Sequence, residues 1–237
     1  MARHAVQAFF SRFFSCQYAG QVDGNPLLVL MYRLAFPFAV LLSALRLSPN
    51  QITTLSLLSA AVSAGALAFG MDGTFLACWG AAVLLDFCDG TVARMTGKVR
   101  TTAFRYDHSS DLIKIFLVIL GAGYRYDVPS IWGLCLATSF AFMFYMVINH
   151  DLGSTRQRLS GAAGGRVSPR AAVAHGEPLS ISQALRSVLL TINGHTLLVF
   201  FLLPLGEAEA MGGLAYFLAL SVLRAARCIH IMLGLPK

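Results

Sequence analysis

Four aspartates carry the chemistry that this sequence could do. The stretch from Asp86 to Asp111 reads DFCDGTVARMTGKVRTTAFRYDHSSD, and its 26 residues hold four of the chain's eleven carboxylates. Asp86 and Asp89 are three apart and Asp107 and Asp111 four apart. Each pair therefore shares a face wherever its segment is helical. Acids gathered this closely at the ends of apolar helices repel one another strongly in a low dielectric. Something cationic has to hold them together. Carboxylates at this density suit hard divalent ions such as Mg2+ or Mn2+, which favour oxygen ligands and bridge to phosphates.

The spacing is also a signature. Asp86-x2-Asp89-Gly90-x2-Ala93-Arg94, followed by Asp107-x3-Asp111, resembles the CDP-alcohol phosphatidyltransferase family, whose pattern is D-x2-D-G-x2-A-R-x8-G-x3-D-x3-D. Seven fixed residues match at the right distances, and the one departure is Ala103 where the family has Gly. The resemblance implies a membrane enzyme in which an alcohol hydroxyl displaces CMP from a CDP-linked lipid. It further implies two divalent ions, Mg2+ or Mn2+, about 4 Å apart and clamping the pyrophosphate. Asp86, Asp89 and Asp107 are then the main metal ligands, with Asp111 in the same metal set and acting as general base. That base role requires burial or neighbouring acids, and less contact with the metals than the other three have.

The neighbours of the acids fit the same expectation. Gly90 permits close approach of the backbone to a nucleotide, and Ala93 is small on the same side. Arg94 offers a fixed fork to phosphate oxygens; its alternative role is an interfacial anchor. Pro49, Asn50 and Thr53 match an entry turn that the family commonly carries, which implies that Asn50 and Thr53 border the nucleotide site. A plain helix cap explains the same residues. Lys98, Arg100 and Arg105 lie between the acid pairs, where they would bind an acceptor phosphate or simply anionic lipid. His108 lies within the motif and could support an acid from behind. His195 in mid-span reads as a packing residue. The alanine at 103 bears on fine substrate geometry more than on reaction type.

Positioning these residues falls to membrane helices. The chain has 237 residues, of which 57% are hydrophobic and 12% charged, and apolar runs near twenty residues recur. That is the length needed to cross a hydrocarbon core of about 30 Å. Alternating segments of a β-barrel are absent. The expected fold is an all-α polytopic membrane protein with six spans, near 50–71, 74–95, 107–124, 129–150, 184–205 and 210–232. An amphipathic helix over 4–18, with Val6, Phe9, Phe10, Phe13 and Phe14 on one face, is expected to lie in the interface. The segment 27–46, with Arg33 and Pro37 inside it, is expected to be a kinked helix at or dipping into the interface. Residues 151–183 read as an irregular loop with one short helix at most. The domain division is 1–48, juxtamembrane, and 49–237, the six-helix domain.

Charge distribution orients the chain. Six spans from residue 50 place 17 of the 18 Lys and Arg residues on one side, Arg125 being the exception, and by the positive-inside rule that side is the cytoplasm. The net charge of +7 then points to anionic lipid and phosphorylated substrates rather than nucleic acid. Five cysteines show neither disulfide nor zinc spacing, and no cleavable signal peptide is apparent. The expected setting is a bacterial inner membrane, with the site facing the cytoplasm.

Three readings compete. The leading one is a phosphotransferase of lipid synthesis that uses CDP-diacylglycerol and a small polar alcohol. The same motif also serves enzymes that pass a head group from a soluble CDP-alcohol to diacylglycerol. A divalent-cation transporter is the reading from another class, although transport sites lie near the bilayer midplane and these acids do not. A silent scaffold would have lost an acid, and all four are present. The resemblance further implies a homodimer.

Overall fold

The computed structural model describes residues 26–96, 101–162, 185, 189 and 199–234, the side chains of 26, 29, 101–105 and 156–162 excepted. Six helices are delimited among them: α1 (Pro26–Ala44), α2 (Pro49–Ala68), α3 (Asp72–Met95), α4 (Thr101–Tyr126), α5 (Pro129–Ala162) and α6 (Glu207–Leu233). The described residues are all-helical, with no strand. Four helices are long and apolar enough to cross a membrane: α2, α3, residues 129–155 of α5, and α6. At about 1.5 Å per residue, α4 also has the reach, but it carries Asp107, Asp111, Lys114 and Arg125.

Local signals set the boundaries. Ser48 caps α2 in a capping box: its Oγ accepts from Gln51 N at 3.4 Å, and Gln51 Oε1 accepts from Ser48 N at 2.8 Å. Pro49 follows at the first turn, where its missing N–H costs nothing. The helix ends in a Schellman motif. Gly70 adopts φ +71°, Met71 N donates to Ala66 O at 2.8 Å and Gly70 N to Leu67 O at 3.0 Å.

Two expectations need correction. Helix α4 begins at Thr101, six residues before the expected start at 107. Helix α5 runs unbroken to Ala162, so residues 151–162 are helix and not irregular loop. That stretch, DLGSTRQRLSGA, has no proline, and Leu, Arg and Gln are good helix formers that outweigh its two glycines. The 184–205 span falls mostly outside the described residues, as does the 4–18 helix; residues 199–202 are helical and lead into the turn before α6.

Helix α2 is the hub, packed on α3 and α4, while α5 pairs with α6 and α1 lies on α3. Three serines on one face of α2 bind α3 backbone: Ser56 Oγ donates to Ala82 O at 2.7 Å, Ser59 to Cys78 O at 2.8 Å and Ser63 to Phe75 O at 3.1 Å. Lipid gives helices no hydrophobic reason to associate, so close packing of small residues and such bonds, each worth about 0.6 kcal/mol, must do it. At the end away from the acids, Arg125 pairs with Asp72 and donates to Pro204 O at 3.1 Å, and Tyr126 Oη donates to Leu203 O at 2.6 Å. These contacts tie α3, α4 and the turn before α6 together. The core beside them is aromatic, with the Trp79 and Phe200 ring centroids 4.7 Å apart.

Helix α1 is continuous through Pro37. Ala35 and Ala39 are buried against α3, and Cys88 Sγ donates to Ala35 O at 3.4 Å. Leu30, Leu34, Phe38 and Leu41 stand exposed on its other face, with Leu45 exposed just past its end, an apolar stripe of the kind that suits lipid.

Candidate active site

Helices α2, α3 and α4 meet at the acids. On α3 the three-residue spacing sets Asp86 and Asp89 on one face, turned toward α2 and α4. On α4, Asp107, Asp111 and Lys114 recur at i, i+4 and i+7 and line the facing side. Carboxylate oxygens of Asp86, Asp89 and Asp107 all lie within 4.8 Å of one another. Asp89 is buried, while Asp86 and Asp107 are half-buried. Oδ1 of Asp107 is buried with no hydrogen-bond partner among the described residues, and a buried carboxylate oxygen without a donor is costly unless a cation satisfies it. Hard oxygen donors converging in this way fit Mg2+ or Mn2+. A softer metal would call for imidazole or thiolate.

Thr53 comes from α2 to the same place. Its Oγ1 donates to Asp89 Oδ2 at 2.6 Å, and the Pro49 carbonyl lies 3.1 Å from the same hydroxyl. The hydroxyl fixes one oxygen of Asp89 and leaves the other free to ligate. Thr53→Val keeps the shape and removes this bond. It is expected to weaken Mn2+ binding about 10–100-fold, the usual cost of losing a partner behind a ligand, as read by Mn2+ titration of the purified protein.

Asp111 stands apart from the trio. It pairs with Lys114, with Nζ to Asp111 Oδ1 at 2.7 Å. The same ammonium also pairs with Asp86 and donates to Ser56 Oγ at 3.2 Å. Lys114 is buried, and sequence reasoning missed it. The signal was there: a single lysine inside the apolar run of α4, three residues after one motif acid and seven after another.

Arg94 lies in the last turn of α3. Its guanidinium lies 5.2 Å from the Tyr32 ring centroid of α1, and Nη2 donates to Thr91 Oγ1 at 3.4 Å. The buried Nε has no hydrogen-bond partner among the described residues, so a donor remains for an anionic ligand. A Cβ on Gly90 would meet Arg94 Nη1 at 3.4 Å, an ordinary contact; Gly90 therefore leaves the arginine room rather than relieving a clash. Ala93 is half-buried and Asn50 exposed, one turn before Thr53. Thr54 Oγ1 and Tyr106 Oη, 2.8 Å apart, link α2 to α4 next to the acids. Ala103 and Arg105 lie on α4 with side chains outside the description, and Lys98 and Arg100 fall outside the described residues.

A carboxylate cluster at one end of apolar helices, with an arginine in the last turn of the same helix α3, is suited to holding a divalent cation and to meeting phosphate. The family model for CDP-alcohol phosphatidyltransferase matches residues 46–205, well over half of the chain, and the protein belongs to that family. It is a transferase of this kind, and the transporter reading falls away. No curated protein matches the chain. Among solved structures it is similar to phosphatidylinositol phosphate synthase (PgsA1) of Mycobacterium tuberculosis. With CDP-DAG bound, that enzyme gives a TM-score of 0.59 at 18% identity over 86% of this chain and 96% of that one. Its apo form gives 0.56 at 17% identity over 84% and 95%. At this identity the likeness speaks for the fold alone.

Proposed function

We propose that the protein displaces CMP from CDP-diacylglycerol by the hydroxyl of a small polar alcohol. The observation that carries this reading is the convergence of Asp86, Asp89 and Asp107 within 4.8 Å, next to an arginine whose buried Nε awaits an acceptor, inside the family match. A divalent ion on these three acids would neutralise pyrophosphate charge and stabilise the departing CMP oxygen. Arg94 holds a phosphate oxygen, and the Tyr32 ring steadies its guanidinium. The acceptor oxygen bonds to the phosphorus that carries diacylglycerol, the bond from that phosphorus to the CMP oxygen breaks, and the hydroxyl proton passes to Asp111. Asp111 suits that task because it lies outside the trio and so has less contact with the metal than the other three acids.

The setting follows from charge and shape. The acids face the cytoplasm of a bacterial inner membrane, where the basic loops gather. The stripe from Leu30 to Leu45 keeps α1 against lipid. The beginning of the family match at residue 46 supports a division into 1–48 and 49–237. The family resemblance supports a homodimer. Lys98, Arg100 and Arg105 make a phosphorylated alcohol the first acceptor to try.

The test is CMP release by the purified protein in detergent, given CDP-diacylglycerol, Mg2+ or Mn2+ and one acceptor at a time. Metal-dependent release with one acceptor is the expected result. Release only when CDP-choline and diacylglycerol are supplied instead would overturn the donor assignment, and silence in both settings would overturn the proposal.

A further inference from the structure

We infer that helix α1, which lies outside the family match, is part of the active site, with Tyr32 as a positioning residue that sets Arg94 for substrate binding. The inference rests on the proposed role of Arg94 toward a phosphate oxygen and deepens it. Helix α1 ends at Ala44 and the match begins at residue 46, so the match assigns α1 no part in the chemistry. Yet the Tyr32 ring lies 5.2 Å from the Arg94 guanidinium.

Arg94 has little else to hold it. Among the described residues no carboxylate pairs with it, Nη2 meets Thr91 Oγ1 only at 3.4 Å, and the buried Nε has no hydrogen-bond partner. A long side chain tied so weakly loses rotamer freedom when it grips a phosphate, and affinity falls accordingly. A carboxylate would hold the guanidinium but also neutralise the charge that the phosphate needs. An aromatic ring attracts the cation without neutralising it.

Tyr32 is itself fixed from both helices. Its ring meets that of Phe87 on α3 edge-on, with centroids 4.9 Å apart. Ala35 and Ala39 follow three and seven residues later on the same face of α1 and are fully buried. Cys88 Sγ donates to Ala35 O at 3.4 Å. Small residues let the two backbones approach closely, and the register they set brings Tyr32 to Arg94.

The probe is CDP, which carries the pyrophosphate without the lipid, titrated calorimetrically into the purified full-length protein with Mg2+. Tyr32→Leu keeps an apolar side chain and removes the ring. It is expected to bind CDP about 3- to 30-fold more weakly, the range that cation–π contacts span from exposed to desolvated sites. Tyr32→Phe keeps the ring and should bind within about twofold of wild type. In an Arg94→Ala background, where the acids are intact, Tyr32→Leu should weaken binding no further, which a merely structural tyrosine would not show. Wild-type affinity in Tyr32→Leu, or the same loss with and without Arg94, would overturn the inference while leaving the site standing. No CDP binding by the wild type would overturn the proposed site and the inference with it. If Tyr32→Leu does not fold, Tyr32→Met takes its place in both backgrounds.

Discussion

Asp111→Asn is expected to lower CMP release by roughly a hundred- to ten-thousand-fold, the range that a positioned general base contributes. The amide has nearly the shape of the carboxylate and can still accept from Lys114, so the fold should hold. What it cannot do is take the acceptor's proton. The metal site should also survive, because the compact ligand group is Asp86, Asp89 and Asp107 and Lys114 keeps Asp86 and Ser56 as partners. This separates Asp111 from its neighbours. Asp107→Asn, which alters an oxygen with no donor among the described residues, should lose Mn2+ binding and turnover together. Asp111→Asn should lose turnover alone. A single assay pair, CMP release and Mn2+ titration on both variants, checks the assignment. Release by Asp111→Asn within a few-fold of wild type would remove Asp111 from the base role, and loss of Mn2+ binding in that variant would return it to the ligand set.

That the acid pairs are legible in the sequence and the partners of Lys114 are not has a physical explanation. Asp86 and Asp89, and Asp107 and Asp111, are local pairs whose faces follow from helical spacing alone. The helices that carry them are marked by apolar length, and by Ser48, Pro49 and Gln51 at the start of α2. Contacts between helices leave no such mark. Nothing in the order of residues says that Ser56, Ser59 and Ser63 turn toward carbonyls of α3, or that Tyr32 lies against Arg94 across 62 positions. Thr53 was singled out by a motif, but its partner Asp89 is 36 residues away and emerged only from packing. The far end of α5 was missed for the opposite reason. Polarity alone suggests a loop, whereas a helix leaving the membrane becomes polar without ending.

Gly121→Ala is expected to be the most damaging small change outside the acids. A Cβ there would come within 2.6 Å of the Ala64 carbonyl oxygen and 3.3 Å of its carbonyl carbon and Cα. These are backbone atoms of α2, so no side chain can swing aside, and the two helices must move apart. Overpacking of this kind costs about 1–3 kcal/mol, but the larger effect should be on catalysis. Helix α2 holds Thr53 and Ser56, and α4 holds Asp107, Asp111 and Lys114, so separation at Gly121 opens the contacts that align base, lysine and ligands. A misplacement near 1 Å costs about a hundredfold in rate. Gly80 provides the control, because it is exposed on α3 with nothing within 4 Å of its added Cβ. Gly80→Ala should melt at or slightly above the wild-type temperature and keep its activity. Gly123 would meet the Trp132 ring at 2.9 Å, but a half-buried indole can yield, so Gly123→Ala should fall between the two. If Gly121→Ala melts and turns over like wild type, the close approach of α2 and α4 is not what sets the geometry of the acids, and the Thr54–Tyr106 and Lys114–Ser56 contacts between these helices would have to carry it.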